Sequence, residues 1–289
     1  MCYCNICQKK PIGEVQRAAV RSNVRRFCDQ QFAIWRCPNC RSIHASQPVD
    51  LDYYYKHYPL HWLKQTKVNW MLNAMYRSQL KRLRKIGLRK EHTLLDYGCG
   101  SGLFIDYLRR VGYRYAFGFD AYSERFSDCR ILERSYDFVI TQDVIEHVDK
   151  PWELIKTLNQ LSKPGTVIAI GTPNAESIDM NAPDKRIHTL HQPYHRHILS
   201  RGALLTVGER VGWKLIRYFP TMYTNTLVPF VNTIFVTYYF NCFDNTLDLS
   251  LEPIRVNSWR LWTPKAFFFA FFGYFFSPET DVMAVFRRD

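Results

Sequence analysis

The chain has 289 residues, 47% hydrophobic and 22% charged, which leaves room for about two domains of roughly 150 residues and excludes a disordered tail, a collagen-like fibre and a disulfide-knotted miniprotein. The net charge of +13 is uneven: residues 1–91 hold 18 Lys and Arg against 5 Asp and Glu, and residues 92–289 hold 21 of each. The basic first third either faces something anionic, nucleic acid or a membrane surface, or is a solvated face.

Six of the nine cysteines fall within the first 40 residues, as Cys2, Cys4, Cys7, Cys28, Cys37 and Cys40. The opening MCYCNICQKK has neither the charged n-region nor the apolar h-region of a signal peptide. A reducing, cytoplasmic setting with metal ligation therefore fits these thiols better than disulfides. Cys4-x2-Cys7 and Cys37-x2-Cys40 are two knuckles 29 residues apart, with the β-prone FAIWRC leading into the second. They suggest a zinc-ribbon-like module over 1–48 whose four thiolates hold a structural zinc and leave no open position for catalysis. Cys28 is the competing ligand, and the gap is longer than the usual spacing of about 15–20.

Residues 49–92 supply an aromatic linker and a basic helix. In DLDYYYKHYPLHW the tyrosines are either a clamp over a flat ligand or packing between domains. Over 64–90, Val68, Met71, Leu72, Met75, Leu80, Leu83 and Ile86 recur at near-helical spacing, and the other face is rich in Lys and Arg.

The most specific stretch follows. Thr93 to Phe104 reads as an apolar strand, the glycine turn DYGCGSG and the start of a helix that ends at Gly112; a second strand, YAFGFD, carries Asp120 at its tip. Such an arrangement makes a Rossmann-like nucleoside site, in which glycines admit a ligand to the backbone and the acid takes ribose hydroxyls. Leu103 stands where a dinucleotide fingerprint requires glycine, and the GK[ST] of a phosphate-gripping loop is absent.

DYGCGSG resembles motif I of the class I S-adenosylmethionine-dependent methyltransferases, and GFD resembles their motif II. YDFVITQDVIEHV, PWELIKTLNQLSKPGTVIAIGTPN and PYHRHILSRGALLTVGERVGWKLIRYF resemble the later strands and helices of the small-molecule branch. The similarity spans about 93–219. It implies an α/β, Rossmann-like sheet with helices on both faces, in which Gly98, Cys99, Gly100 and Gly102 approach the cofactor. Asp120, followed by Ala121, binds the ribose, Asp96 serves the ammonium end, and Gln142 and Asp143 complete the cofactor set. Only 15 residues separate Asp120 from Tyr136, so the family's third strand is expected to be missing or vestigial, and the adenine contact is unassigned.

Asp143, Glu146 and His147 stand at i, i+3 and i+4, placing them on one face of the expected helix. The triad is similar to the E-x-x-E-H metal motif of ubiquinone O-methyltransferases, with Asp in place of the first Glu. Three readings stay open for it: a second divalent metal, His147 as general base, or a structural helix residue. His188, His191, His195 and His197 lie in HTLHQPYHRH, a loop placed where substrate would enter, with His195 as the second catalytic candidate. No [DNS]PP[YFW] motif follows the fourth strand and no catalytic cysteine stands out, so oxygen is the expected acceptor atom.

Residues 220–289 form the last region. Phe219 to Phe243 contains no charge, and Ala266 to Phe276 is almost wholly aromatic. Neither run reaches the length of about 20 apolar residues that spanning requires. Together they are an interfacial membrane patch, an apolar substrate wall or a cap over the sheet; VMAVFRR is expected to close the domain as a strand. The reading is thus a cytoplasmic or membrane-peripheral O-methyltransferase acting on a small-molecule, sugar or lipid-linked acceptor. The alternatives are a zinc-ribbon RNA methyltransferase and a non-catalytic cofactor-binding scaffold.

Overall fold

The computed structural model describes residues 3–59 and 68–289; Cys2 and residues 64–67 of the expected helix lie outside the described residues. The N-terminal segment forms β1 (Gln16–Arg21), β2 (Gln31–Arg36) and β3 (Ile43–Ala45), an antiparallel meander. After α1 (Leu51–Lys56), capped by the Asp50 carboxylate, comes α2 (Trp70–Lys85), capped by Asn69. The expected helix runs to residue 90, but α2 stops earlier. Gly87 takes φ +99°, and the Leu88 amide reaches back to the Leu83 carbonyl, which closes the last turn.

The remaining elements alternate: β4 (Leu94–Tyr97), α3 (Leu103–Arg110), β5 (Ala116–Phe119), β6 (Tyr136–Gln142), α4 (Pro151–Gln160), β7 (Ser162–Pro173), the single turn α5 (Ile187–Leu190), β8 (His197–Ile198), α6 (Arg201–Arg210) and β9 (Trp213–Phe219). Two helices, α7 (Thr233–Asn241) and α8 (Pro264–Phe272), lie within the insert between β9 and the final β10 (Asp281–Arg288). The six-stranded sheet has the order β5-β4-β6-β7-β10-β9. Its first four strands are mutually parallel, and β10 slots antiparallel between β7 and β9. Between β5 and β6 the described residues hold only a 3-10 turn, Cys129–Glu133, and no third strand.

Alternation along the parallel strands explains why both faces are covered. Leu94, Phe138, Ile140 and Ala169 point to the side packed by α2 and α3, while Leu95, Val139, Ile168 and Ile170 point to the side packed by α4 and α6. Cys4, Ile6, Trp35 and Cys37 join that second core, so the cysteine segment packs directly onto the large domain.

A four-stranded sheet, β1-β2-β3-β8, makes the same junction, because its last strand comes from residues 197–198. Arg36 reinforces it by donating to the Ala175 and Ile178 carbonyls (3.0 and 2.5 Å). Part of the basic charge of α2 is likewise internal: Arg82 donates to the Thr221 and Met222 carbonyls, and Arg84 to the Tyr113 hydroxyl. Among the described residues no helix is long and apolar enough to cross a membrane.

Candidate active site

The glycine turn joins β4 to α3. The Gly98 and Cys99 amides donate to the Phe119 carbonyl (2.7 and 3.1 Å), which ties the turn to β5. Gly98 and Gly102 have φ of +84° and +79°, and a Cβ on them would lie 2.2 Å from Val144 Cγ2 and 2.0 Å from Phe126 Cε2. Gly100 differs, since a Cβ there would meet nothing within 4 Å; its backbone is open to a ligand. Asp120 faces it, accepting from the Gly100 and Tyr122 amides (both 2.9 Å) and retaining lone pairs for ribose hydroxyls. Ala121 is exposed beside it. The Cys99 thiol packs against Gly118, so what Cys99 offers the turn is its backbone.

Asp96 is buried at the end of β4; burial, then the charge of Asp120, pushes its pKa up to about 7. Gln142 is turned across β7 onto Gly171, its Nε2 against Met283 Sδ (3.4 Å) and its Oε1 buried without a partner among the described residues. Asp143 has a left-handed backbone, φ +54°, and its amide donates to the Gly171 carbonyl. The residue keeps solvent-open surface, yet surrounding protein desolvates its carboxylate, and that desolvation, then Asp281, pushes it up to about 7.

That left-handed residue overturns the expected helix at 143–147. The segment is a series of turns, with α4 starting only at Pro151, so Asp143, Glu146 and His147 do not share a helical face. The structure instead brings Glu146 and His147 together with His195, one ligand atom from each lying within 4.8 Å of the others. Glu146 is fully buried: Oε2 accepts from the Thr172 hydroxyl (3.1 Å) and Oε1 has no partner among the described residues. Burial, then Asp143, holds its carboxyl well above the usual range. His195 Nδ1 donates to the Thr189 carbonyl (2.9 Å), which leaves Nε2 with the lone pair. Burial lowers His147 to about 4 and carries His195 well below its ordinary value, so both rings are neutral at pH 7.

The histidine loop is not an exposed segment. His191, His195 and His197 are buried, and the rings of His147 and His191 lie 4.7 and 4.9 Å from that of His195. His197 sits apart, bonded to the Val148 carbonyl and Asn5, and His188 bonds Asn23 and Asn245.

The aromatic linker closes over this cluster. The Tyr55 hydroxyl is 3.1 Å from His147 Nδ1 while its ring stacks on Tyr122, two residues past Asp120, and the Tyr58 hydroxyl meets His191 Nε2 at 3.2 Å. Asn23 accepts from His191 Nδ1 at 2.7 Å. The tyrosine run carried a signal in the sequence, as a clamp; Asn23 and Thr172 carried none.

The four knuckle cysteines also converge. Cys4 and Cys40 Sγ are 3.6 Å apart, and Cys7 and Cys37 Sγ 3.9 Å. A tetrahedron with metal–sulfur distances of about 2.3 Å has edges of about 3.8 Å, so the thiols fit zinc. Cys28 lies outside the cluster, its Sγ near Asp29. His44, stacked on Trp35, approaches Cys4 Sγ at 3.2 Å.

Residues 71–218 match a family profile described as a methyltransferase domain. The chain is 31% identical over 103 residues, 28% of this chain, to a protein of Caulobacter vibrioides named ubiquinone biosynthesis O-methyltransferase, and the match spans 41% of that relative's length. Two solved structures resemble the fold. One is a Haloferax volcanii complex between the Trm112 methyltransferase activator and a methyltransferase (12% identity, 79% of this chain and 96% of that chain, TM-score 0.49). The other is a Galdieria sulphuraria protein described as a candidate sarcosine dimethylglycine methyltransferase (16% identity, 75% and 86%, TM-score 0.46).

Proposed function

The chain belongs to the methyltransferase-domain family, and on that premise we propose that it moves the methyl group of S-adenosylmethionine to a hydroxyl of a small-molecule, sugar or lipid-linked acceptor. The observation that carries this reading is a single side chain. Tyr55 stacks on Tyr122, two residues past Asp120, and reaches His147 with its hydroxyl, so one side chain spans from the ribose corner to the Glu146, His147, His195 cluster.

In the transfer the acceptor oxygen attacks the methyl carbon and the carbon–sulfur pair passes to sulfur, while the hydroxyl proton leaves to a base or solvent; positioning supplies most of the acceleration. The name of the Caulobacter relative supports oxygen as the acceptor atom. Glu146, His147 and His195 would hold a divalent cation, whose chemistry is to acidify a bound hydroxyl. The unpartnered Oε1 of Glu146 and the free Nε2 of His195 suit it. Cys4, Cys7, Cys37 and Cys40 would hold a structural zinc.

Calorimetric titration of S-adenosylmethionine into wild type and Asp120→Ala, with zinc and divalent-metal content measured on the same samples, tests the reading. Wild type should bind and carry zinc in the cysteine cluster, and the variant should bind at least about tenfold more weakly, as loss of charge-assisted hydrogen bonds predicts. A wild-type chain that does not bind the cofactor would overturn it.

A further inference from the structure

The helix α8 is mounted in the reverse of the usual sense. Ala266 and Ala270, with Gly273 of the 3-10 turn that follows, are its buried side, and Phe267, Phe268, Phe271 and Phe272, with Phe275 of that turn, are its exposed side. A helix that uses its apolar residues to pack on its own domain buries the large ones. Here the small residues let α8 sit tightly on α7, and the phenylalanines are left in water.

The mounting is rigid. The Asn232 side chain caps α7 by accepting from the Phe235 amide (2.9 Å) and donates to the Phe269 and Ala270 carbonyls (both 3.0 Å). A Cβ on Gly273 would lie 2.3 Å from Asn232 Oδ1, so the approach tolerates nothing larger than glycine at that point. The face extends beyond the helix: Phe230 packs edge-on against Phe271 (5.8 Å), Trp262 lies 5.9 Å from Phe267, and Trp259 is 76% exposed.

Charge around the face is one-sided. The carboxylates of residues 219–278 are Asp244, Asp248 and Glu252, and all three are held by arginines: Arg25 Nε meets Asp244 at 2.7 Å, its Nη1 meets Glu252 at 2.6 Å and its amide donates to Asp248 at 2.8 Å, while Arg255 Nη2 meets the other Glu252 oxygen at 2.6 Å. From Pro253 to Pro278 the chain carries Arg255, Arg260 and Lys265 and no acid. The Lys265 ammonium lies over the Tyr238 and Phe269 rings (6.0 and 5.6 Å), which holds a positive charge beside the aromatic face.

We propose that the aromatic face of α8 and its flanking loops seats in the interface of a bilayer with anionic headgroups, phenylalanines in the acyl boundary, Trp259 and Trp262 at headgroup level and Arg260 and Lys265 on the phosphates. Anionic lipid is the occupant that matches both features at once, since an aromatic face rimmed by cations gains from apolar burial and from surface potential together. With nine residues in α8, the insert lies on the membrane and does not cross it.

Flotation of the full chain with vesicles of phosphatidylcholine alone or with phosphatidylglycerol added tests this, independently of whether any methyl is transferred. Wild type should float with the anionic vesicles and several-fold less with the neutral ones. Phe268→Ser/Phe272→Ser should lower flotation at least about tenfold, as removing two buried aromatic anchors predicts, with cofactor affinity unchanged as the control for folding. Lys265→Glu should weaken binding to the anionic vesicles only. Failure of wild type to float with either vesicle overturns the proposal. So does a dimer in light scattering that Phe268→Ser/Phe272→Ser dissociates without any vesicle binding, which would give the face to a second copy of the chain.

Discussion

The two halves of the proposed site, a cofactor wall and an acceptor wall, are built in opposite ways. The cofactor wall is contiguous, running from Asp96 through the glycine turn to Asp120, and its working parts are backbone: positive φ at Gly98 and Gly102, and an open approach at Gly100. The acceptor wall is made of side chains from four separated segments: Asn23, then Tyr55 and Tyr58, then Glu146 and His147, then His191 and His195. The first wall stands on β4 and β5 alone. The second depends on β8, which lies two residues past His195 and is paired to β3 of the cysteine module, while the Arg196 amide donates to the Glu146 carbonyl (2.7 Å).

That dependence gives the largest expected effect. Replacing Cys37 and Cys40 together by serine takes away half of the thiolate cluster that anchors β2 and β3, and structural zinc contributes on the order of 10 kcal/mol to modules of this kind. Methyl transfer should disappear with the zinc, whereas S-adenosylmethionine affinity, measured by calorimetry, should stay within about tenfold because the cofactor wall has its own strands. Retained turnover would make the cysteine module a detachable unit and dissolve the contrast.

A smaller and more local effect is expected inside the acceptor wall. Glu146→Gln keeps the shape of the buried side chain, and His195→Ala removes a ring that touches no residue of the glycine turn. Each should lower kcat by about 100- to 10,000-fold, the range typical of groups that handle the transferred proton, while leaving cofactor binding unchanged. Cofactor affinity that fell in step with kcat would show that the two walls are one unit.

The same contrast explains what could be read from sequence. Asp96, the turn and Asp120 were legible because a strand, three glycines and a strand-tip acid fix a backbone shape within 25 residues. The shortened segment before β6 was legible by length alone. The helix expected at 143–147 was not there, because left-handed Asp143 breaks the i, i+4 register that the spelling D-x-x-E-H suggests. His195 could be named as a candidate, but its union with Glu146 and His147 depends on long-range β3–β8 pairing, which no local pattern encodes. Asn23 was silent, since a buried asparagine between two histidines looks like any turn residue.

The smallest effect concerns the cofactor wall itself and separates it from the acceptor wall by pH. Burial and the neighbouring Asp120 raise Asp96 from 3.8 to about 7. If Asp96 meets the cofactor's ammonium, the ionised form is the one that binds. Below pH 7 a proton must then leave first, so affinity should fall by up to about tenfold per pH unit on acidification and level off above pH 7. The cofactor-free fold should respond with the opposite sign. A carboxyl raised in the folded state stabilises it fully below pH 3.8, and that stabilisation is lost as pH rises through 7. Histidines act against this trend, for burial lowers His147 to about 4 and His197 to about 3, and their contribution is present above pH 6.5 and lost on acidification. The net stability profile therefore mixes both walls. The difference between wild type and Asp96→Asn cancels the histidines and isolates the Asp96 contribution, and in the variant itself the affinity slope below pH 7 should vanish; a slope that survives in the variant would assign it to Asp143, also raised to about 7.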